Sequence, residues 1–276
     1  MTTSVNQLFD QIHSIPQVPE VIQELILQVN NPDIDMGVIA QNVEREPTIS
    51  LKILRLVNSA HYGLSRKVSS IKEALAFLGM SELKTLIIAS GIVSSIHDIE
   101  GFDIKQFWER SFNTASYAKN IAIETHQDPD IAFTAGLICN IGTILIHLGD
   151  PSAAMEISQH VKAGHASQAE FEKRRLGYTS AEVTAEICRR WKLPDELISA
   201  VADCIEPLNE PESSKMACIL HIARYLSTFN TGSQEEDIIA KFPFPVAEKI
   251  SLTKAVLAEK LPKLLTIESN MSALAN

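Results

Sequence analysis

The sequence is short of the features that mark several classes of protein. Its four cysteines, at 139, 188, 204 and 218, form no CxxC pair, which argues against a zinc knuckle or a dithiol redox motif. Glycine is scarce, 11 of 276 residues, and aromatics make up only 6%. So few turn-formers and bulky β-formers favour helices over a turn-rich β fold. No segment alternates strictly between apolar and polar residues, no fixed period repeats, and there is no low-complexity tract. Phosphate-binding glycine loops are missing. Met1 to Asp10 has neither a basic start nor an apolar stretch, so no signal peptide is expected; free thiols and a cytoplasmic location follow.

What is present is core-forming. Apolar residues make up 45% and charged residues 21%, enough for a sizeable interior. Lys and Arg number 24 against 34 Asp and Glu, a net charge of −10. An acidic body repels phosphate backbones and anionic lipid, so neither nucleic acid nor a membrane surface is an expected partner. Ile131 to Gly149 carries no Asp, Glu, Lys or Arg and approaches the length of a membrane span. Its flanks are acidic (Asp128, Asp130, Asp150), so the positive anchors of a span are missing. A buried core helix is expected there.

Helix signals dominate the chain. Pro19 opens a run with Val21, Ile22, Leu25, Ile26 and Val29 near helical spacing. Asp35 can cap a short helix ending near Arg45, with a break at Pro47. Thr48 can cap the next, with Ile49, Ile53, Leu56 and Val57 on one face and Leu51 and Leu54 also expected in the core. Ser70 can cap a helix that Gly79 closes, and Ser81 opens another to about Ile96. Residues 97–101 look like a hinge, and Asp103 begins a long helix to about His126. Helices are expected at about 151–163, 167–175, 180–191 and from Asp195, with two more after that and a loose tail from about Glu268. The expected fold is all-α with two lobes, residues 1 to 100 and 101 to 276.

Several stretches in order carry a family pattern: Ile15-Pro16 with Pro19, Glu46-Pro47, Asn58-Ser59-Ala60 with Tyr62-Gly63, and Ile71 through Gly79. The chain resembles the HDOD family, bacterial proteins whose domain is related to the HD-type metal-dependent phosphohydrolases. Glu46 stands where the family usually has Asp before the proline. On the residues alone, Asn58 and Ser59 read as a helix end and the two glycines as turn positions; a folding role and a ligand role both stay open.

An HD hydrolase needs His and Asp side chains converging on a divalent cation that activates water. The resemblance implies which positions would hold it, and here they carry other residues. A histidine after Trp108 is replaced by Arg110, and the His-Asp pair itself reads Cys139-Asn140. Ser180 stands at a further histidine position, Cys204 and Ile205 align with paired histidines, and Arg224 takes the place of a late aspartate. Arginine stays cationic and does not ligate metals. No metal, cofactor or catalytic residue is therefore expected. The two arginines are expected either to pair with acids such as Glu109, Asp203 or Glu206, or to form an anion-binding or nucleotide-binding pocket from Arg110 and Arg224.

His97-Asp98 is the sole HD dipeptide, and at a helix end without other ligands it reads as ordinary polar termination. His160 and His165 are expected to face solvent, while His147 and His221 are expected to be satisfied core histidines; His13, His61 and His126 are scattered. The clusters Lys173, Arg174, Arg175 and Arg189, Arg190, Lys192 read as solvated helix faces or as a patch for an acidic partner, and Trp191 as core. The resemblance implies a non-catalytic output or adaptor protein of bacterial signal transduction that contacts unidentified signalling proteins. With no room for a receiver or kinase domain in this length, its signal would come from a separate partner or a ligand. Two other readings stay open: a phosphohydrolase with rebuilt ligands, and a module that binds a small anion or nucleotide.

Overall fold

The computed structural model describes residues 4–13, 15–27, 35–59, 62, 66–96, 99–162, 168–209, 214–229, 235–254 and 256. The described residues contain helices and no strands. His61, Gly63, Ala60, His97-Asp98, His165 and the tail from Glu268 lie outside them.

The first half runs α1 (Val5–Gln11), α2 (Glu20–Leu27), α3 (Met36–Glu44), α4 (Pro47–Val57), α5 (Ile71–Leu78) and α6 (Met80–Ser94). Capping matches the sequence at Asp35, whose Oδ1 accepts from the Gly37 and Val38 amides, and at Ser70, which accepts from Glu73 N at 3.0 Å. Gly79, at φ 79°, ends α5 and immediately precedes α6. Thr48 does not cap α4. Pro47 is the first helical residue, where its missing N–H costs nothing, and Glu46 precedes it without a side-chain cap. Leu51 is also not core: it is 68% exposed, because Ile49, Ile53, Leu56 and Val57 define the inward stripe and position 51 falls outside it.

At the end of α4, Asn58 fastens the chain that follows. Its Oδ1 accepts from Val68 N at 2.7 Å, and its Nδ2 donates to Val68 O and Leu54 O, both at 2.8 Å. Asn58→Ala removes all three bonds and orphans Val68. We expect a loss of about 1–2 kcal/mol, discounted for partial solvation. Urea unfolding monitored by circular dichroism should show an earlier midpoint; an unchanged midpoint would refute this fastening.

The second half holds α7 (Ile104–Glu124), α8 (Pro129–Ile138), α9 (Ile141–Gly149), α10 (Pro151–Lys162), α11 (Gln168–Leu176), α12 (Ser180–Arg190), α13 (Asp195–Asp203), α14 (Lys215–Leu226), α15 (Glu235–Ala240) and α16 (Phe244–Lys249). Three described helices follow α13, where the sequence suggested two. The long α7 packs against α8 and α14, and α12 packs against α9 and α13. The buried α6 joins the halves by packing on both α2 and α8. The buried apolar side chains of both stretches form one continuous cluster.

The uncharged stretch is two helices rather than one. Pro129–Gly149 has a mean hydropathy of 1.9 and is 78% buried, so it is interior to the protein, but it breaks at Cys139-Asn140. The amino-terminal α1 packs against α9 and α12. The same side of the fold is tied by Trp191, whose Nε1 donates to Pro16 O at 2.9 Å, and by Arg190, whose guanidinium lies 4.1 Å from the Phe9 ring centre.

Candidate functional site

The break between α8 and α9 is fixed by contact with α12. Gly142 N donates to Thr184 Oγ1 at 2.9 Å, and the Thr184 hydroxyl donates to Ser180 O at 2.8 Å. The backbones come so close that a Cβ on Gly142 would lie 1.9 Å from Ser180 O. Only glycine permits that approach. Cys139 and Asn140 therefore form a turn held rigidly beside the first residue of α12.

Ser180 is engaged with a residue that the sequence reading did not single out. Glu172 is fully buried, and its Oε2 accepts from Ser180 N at 2.7 Å and Ser180 Oγ at 3.0 Å. Gln168 Nε2 donates to its Oε1 at 2.7 Å. The available signal was spacing: Ala169, Glu172 and Leu176 share the inward face of α11.

Arg110 and Arg224 stand on α7 and α14, which pack against each other, and the Arg224 charge acts on Arg110. Arg224 Nη1 donates to Cys204 Sγ at 3.2 Å, and Cys204 O is hydrogen-bonded to His221 Nδ1 at 2.9 Å. Cys139 Sγ donates to Gly136 O at 3.3 Å. Burial and the Arg224 charge hold the Arg110 guanidinium below its ordinary range, against a smaller opposing effect of Cys139. Arg110 keeps solvent contact, so water screens part of that repulsion. Burial also disfavours the charge on Arg224, yet Cys204, Cys139 and Glu172 together raise its pKa above the usual arginine value. Burial pushes the Cys139 thiol up to about 12, with Arg224 pulling the other way. A group protonated to that pH carries no charge at neutrality, so Cys139 does not neutralise Arg224.

The structure thus gathers Arg110, Cys139, Cys204 and Arg224 into one electrostatic neighbourhood. Ser180 is coupled to the Cys139-Asn140 turn through Thr184. Among the described residues no ion pair joins either arginine to Glu109, Asp203 or Glu206. Glu206 instead accepts from Asn209 at 2.6 Å. One Arg224 donor goes to the Cys204 sulfur, the acid that acts on Arg224 is Glu172, and Arg110 is exposed, where water solvates its charge. A divalent cation does not fit this set. Guanidinium groups do not ligate metals, and no group of three or more His, Cys, Asp or Glu able to hold a metal occurs among the described residues.

Other singled-out residues are accounted for by packing. All four cysteines are buried and free. His147 Nε2 is hydrogen-bonded to Glu100 O at 3.0 Å. His160 does not simply face solvent; it stacks on Phe171 with ring centres 4.1 Å apart, since the ring covers more apolar surface there than in water. Lys173 pairs with Glu182, Arg175 with Glu156, and both Arg189 and Arg190 with Glu186. A cavity of about 110 Å³ between α2, α8 and α13 is lined by none of the clustered residues.

Comparison with known proteins gives a consistent relationship. The HDOD domain matches residues 15–207. A solved structure from Shewanella amazonensis SB2B, described as a "Putative phosphohydrolase", is 30% identical with a TM-score of 0.78, covering 98% of both chains. A "Putative signal transduction protein" from Marinobacter aquaeolei VT8 shares the fold at 19% identity and TM-score 0.76, covering 98% of this chain and 64% of that one. The cyclic di-GMP phosphodiesterase CdgJ of Vibrio cholerae is 24% identical over 127 residues, 45% of this chain and 28% of its own length. The chain spans between 16% and 38% of the length of three curated relatives.

Proposed function

The chain belongs to the HDOD domain family, and we propose that it is a non-catalytic signal-transduction adaptor that acts by contact with other signalling proteins. HDOD domains occur in proteins related to signal transduction, which sets the setting for this reading. One observation carries its non-catalytic half. Read through the family resemblance, the positions that HD hydrolases use for metal ligands correspond here to Arg110, Cys139, Asn140, Ser180, Cys204 and Arg224. Two of these are cations, so the cluster repels a divalent metal rather than holding it. The phosphodiesterase activity in CdgJ's name does not transfer, because the shared stretch is 28% of that protein.

The test is a paired measurement on purified protein. Elemental analysis should find no stoichiometric iron, manganese or zinc. Hydrolysis of bis(p-nitrophenyl) phosphate with added Mn²⁺ should not exceed that of Mn²⁺ in buffer. A stoichiometric metal, or turnover that scales with protein concentration, would replace this proposal with a phosphohydrolase whose ligands have been rebuilt.

A further inference from the structure

Charge is unevenly spread along this acidic chain. From the start of α4 to the end of α5, residues 47–78 hold five basic residues (Lys52, Arg55, Arg66, Lys67 and Lys72) and one acid, Glu73. That is a balance of +4, which leaves −14 for the rest of a chain whose net charge is −10. The one acid is engaged: Glu73 pairs with Arg66 and accepts from Ser69 N at 2.8 Å. Glu44, at the end of α3, is turned to the backbone and accepts from Ile71 N at 3.0 Å. Arg55, Lys67 and Lys72 are exposed and form no ion pair with a described residue.

The same two helices leave apolar side chains in water. They pack on each other and both pack on α6, so their remaining faces are turned away from α6 together. On α4 the outer face carries the exposed Leu51 one turn before Arg55. On α5 the exposed side chains include Lys72 and Phe77, and the Arg66 guanidinium lies 5.0 Å from the Phe77 ring centre. The chain between the helices is held in place, since Asn58 bonds Val68 N and O at 2.7 and 2.8 Å.

We propose that the outer face of α4 and α5 is a docking surface for an acidic amphipathic helix of a partner protein. Its carboxylates would meet Arg55, Lys67 and Lys72, and its apolar side chains would cover Leu51 and Phe77. This deepens the adaptor reading and rests on it. Charge complementarity selects the occupant, because a short acidic element engages the +4 stretch locally, whereas an extended polyanion such as a nucleic acid would run on against the −14 remainder. A helix fits the shape, since two helices packed side by side leave a groove that a third can enter.

The probe is a fluorescein-labelled peptide of about 20 residues, with leucine at i, i+3, i+4 and i+7 spacing and glutamate elsewhere, titrated with the full chain by fluorescence anisotropy. One control carries lysine for every glutamate, and the other alanine for every leucine. The glutamate–leucine peptide should bind at least about tenfold more tightly than either control, and more weakly as KCl rises from about 50 to about 300 mM. R55E and L51S should each weaken it about tenfold. Both should leave the circular dichroism and Tm of the chain unchanged, because these side chains are exposed. No binding of the glutamate–leucine peptide, equal binding of a control, or undiminished binding by both variants would overturn the surface. So would an equally tight, R55E-sensitive complex with an oligothymidylate, which would make it a nucleic-acid surface, or a dimer of the chain that R55E dissolves, which would give it to a second copy. Any of these leaves the non-catalytic reading standing, since that one falls on stoichiometric metal or protein-dependent hydrolysis.

Discussion

Gly142→Ala should lower the melting temperature by roughly 10 °C, corresponding to a loss of about 3–5 kcal/mol. The sign opposes local propensity, since alanine is the better helix former and Gly142 lies within α9. The added methyl would sit 1.9 Å from Ser180 O, which already accepts from Thr184. Relief requires α9 to move away from α12, and that breaks the Gly142 N to Thr184 bond. Differential scanning calorimetry of the two proteins decides the matter. A variant as stable as the parent would mean that the two helices do not approach so closely.

Glu172→Leu should be nearly as damaging, by about 3–5 kcal/mol in urea unfolding. The substitution keeps an apolar volume but leaves Ser180 N and Oγ without their acceptor, at about 1–3 kcal/mol for the buried amide alone. It also removes the negative charge that Arg224 feels through the interior. Glu172→Gln separates these effects. It preserves one acceptor oxygen and removes the charge, so it should fall between the parent and the leucine variant. If Glu172→Leu left the unfolding midpoint unchanged, the carboxylate would have no structural part.

The helical fold was readable because its signals are local. Asp35, Ser70, Asp103 and Asp128 each place a side-chain oxygen before an apolar run, and each accepts backbone amides at a helix start. The break at Cys139-Asn140 was hidden for the opposite reason. In a uniformly apolar stretch every face is buried, so periodicity says nothing about where the helix turns. Its cause, the approach to Ser180, lies about forty residues away. Glu172 was passed over because a charged residue in a charged helix ordinarily faces water. Its place between Ala169 and Leu176 on the buried face was the contrary sign. The electrostatic influence of Arg224 on Arg110 could be suggested only by family likeness, since the two stand in different helices far apart in the chain. What they pair with was not legible at all, because ion-pair partners are chosen by tertiary geometry.

The hydrogen bond from Trp191 to Pro16 spans 175 positions. At about 5–20 residues per second, a ribosome would need roughly 10–35 s to make the chain between them. Early in that interval α1, with the apolar Leu8 and Phe9, has neither α9 nor α12 to cover it. The α1 segment is thus among the last parts able to settle, and until then it must stay soluble without its eventual neighbours.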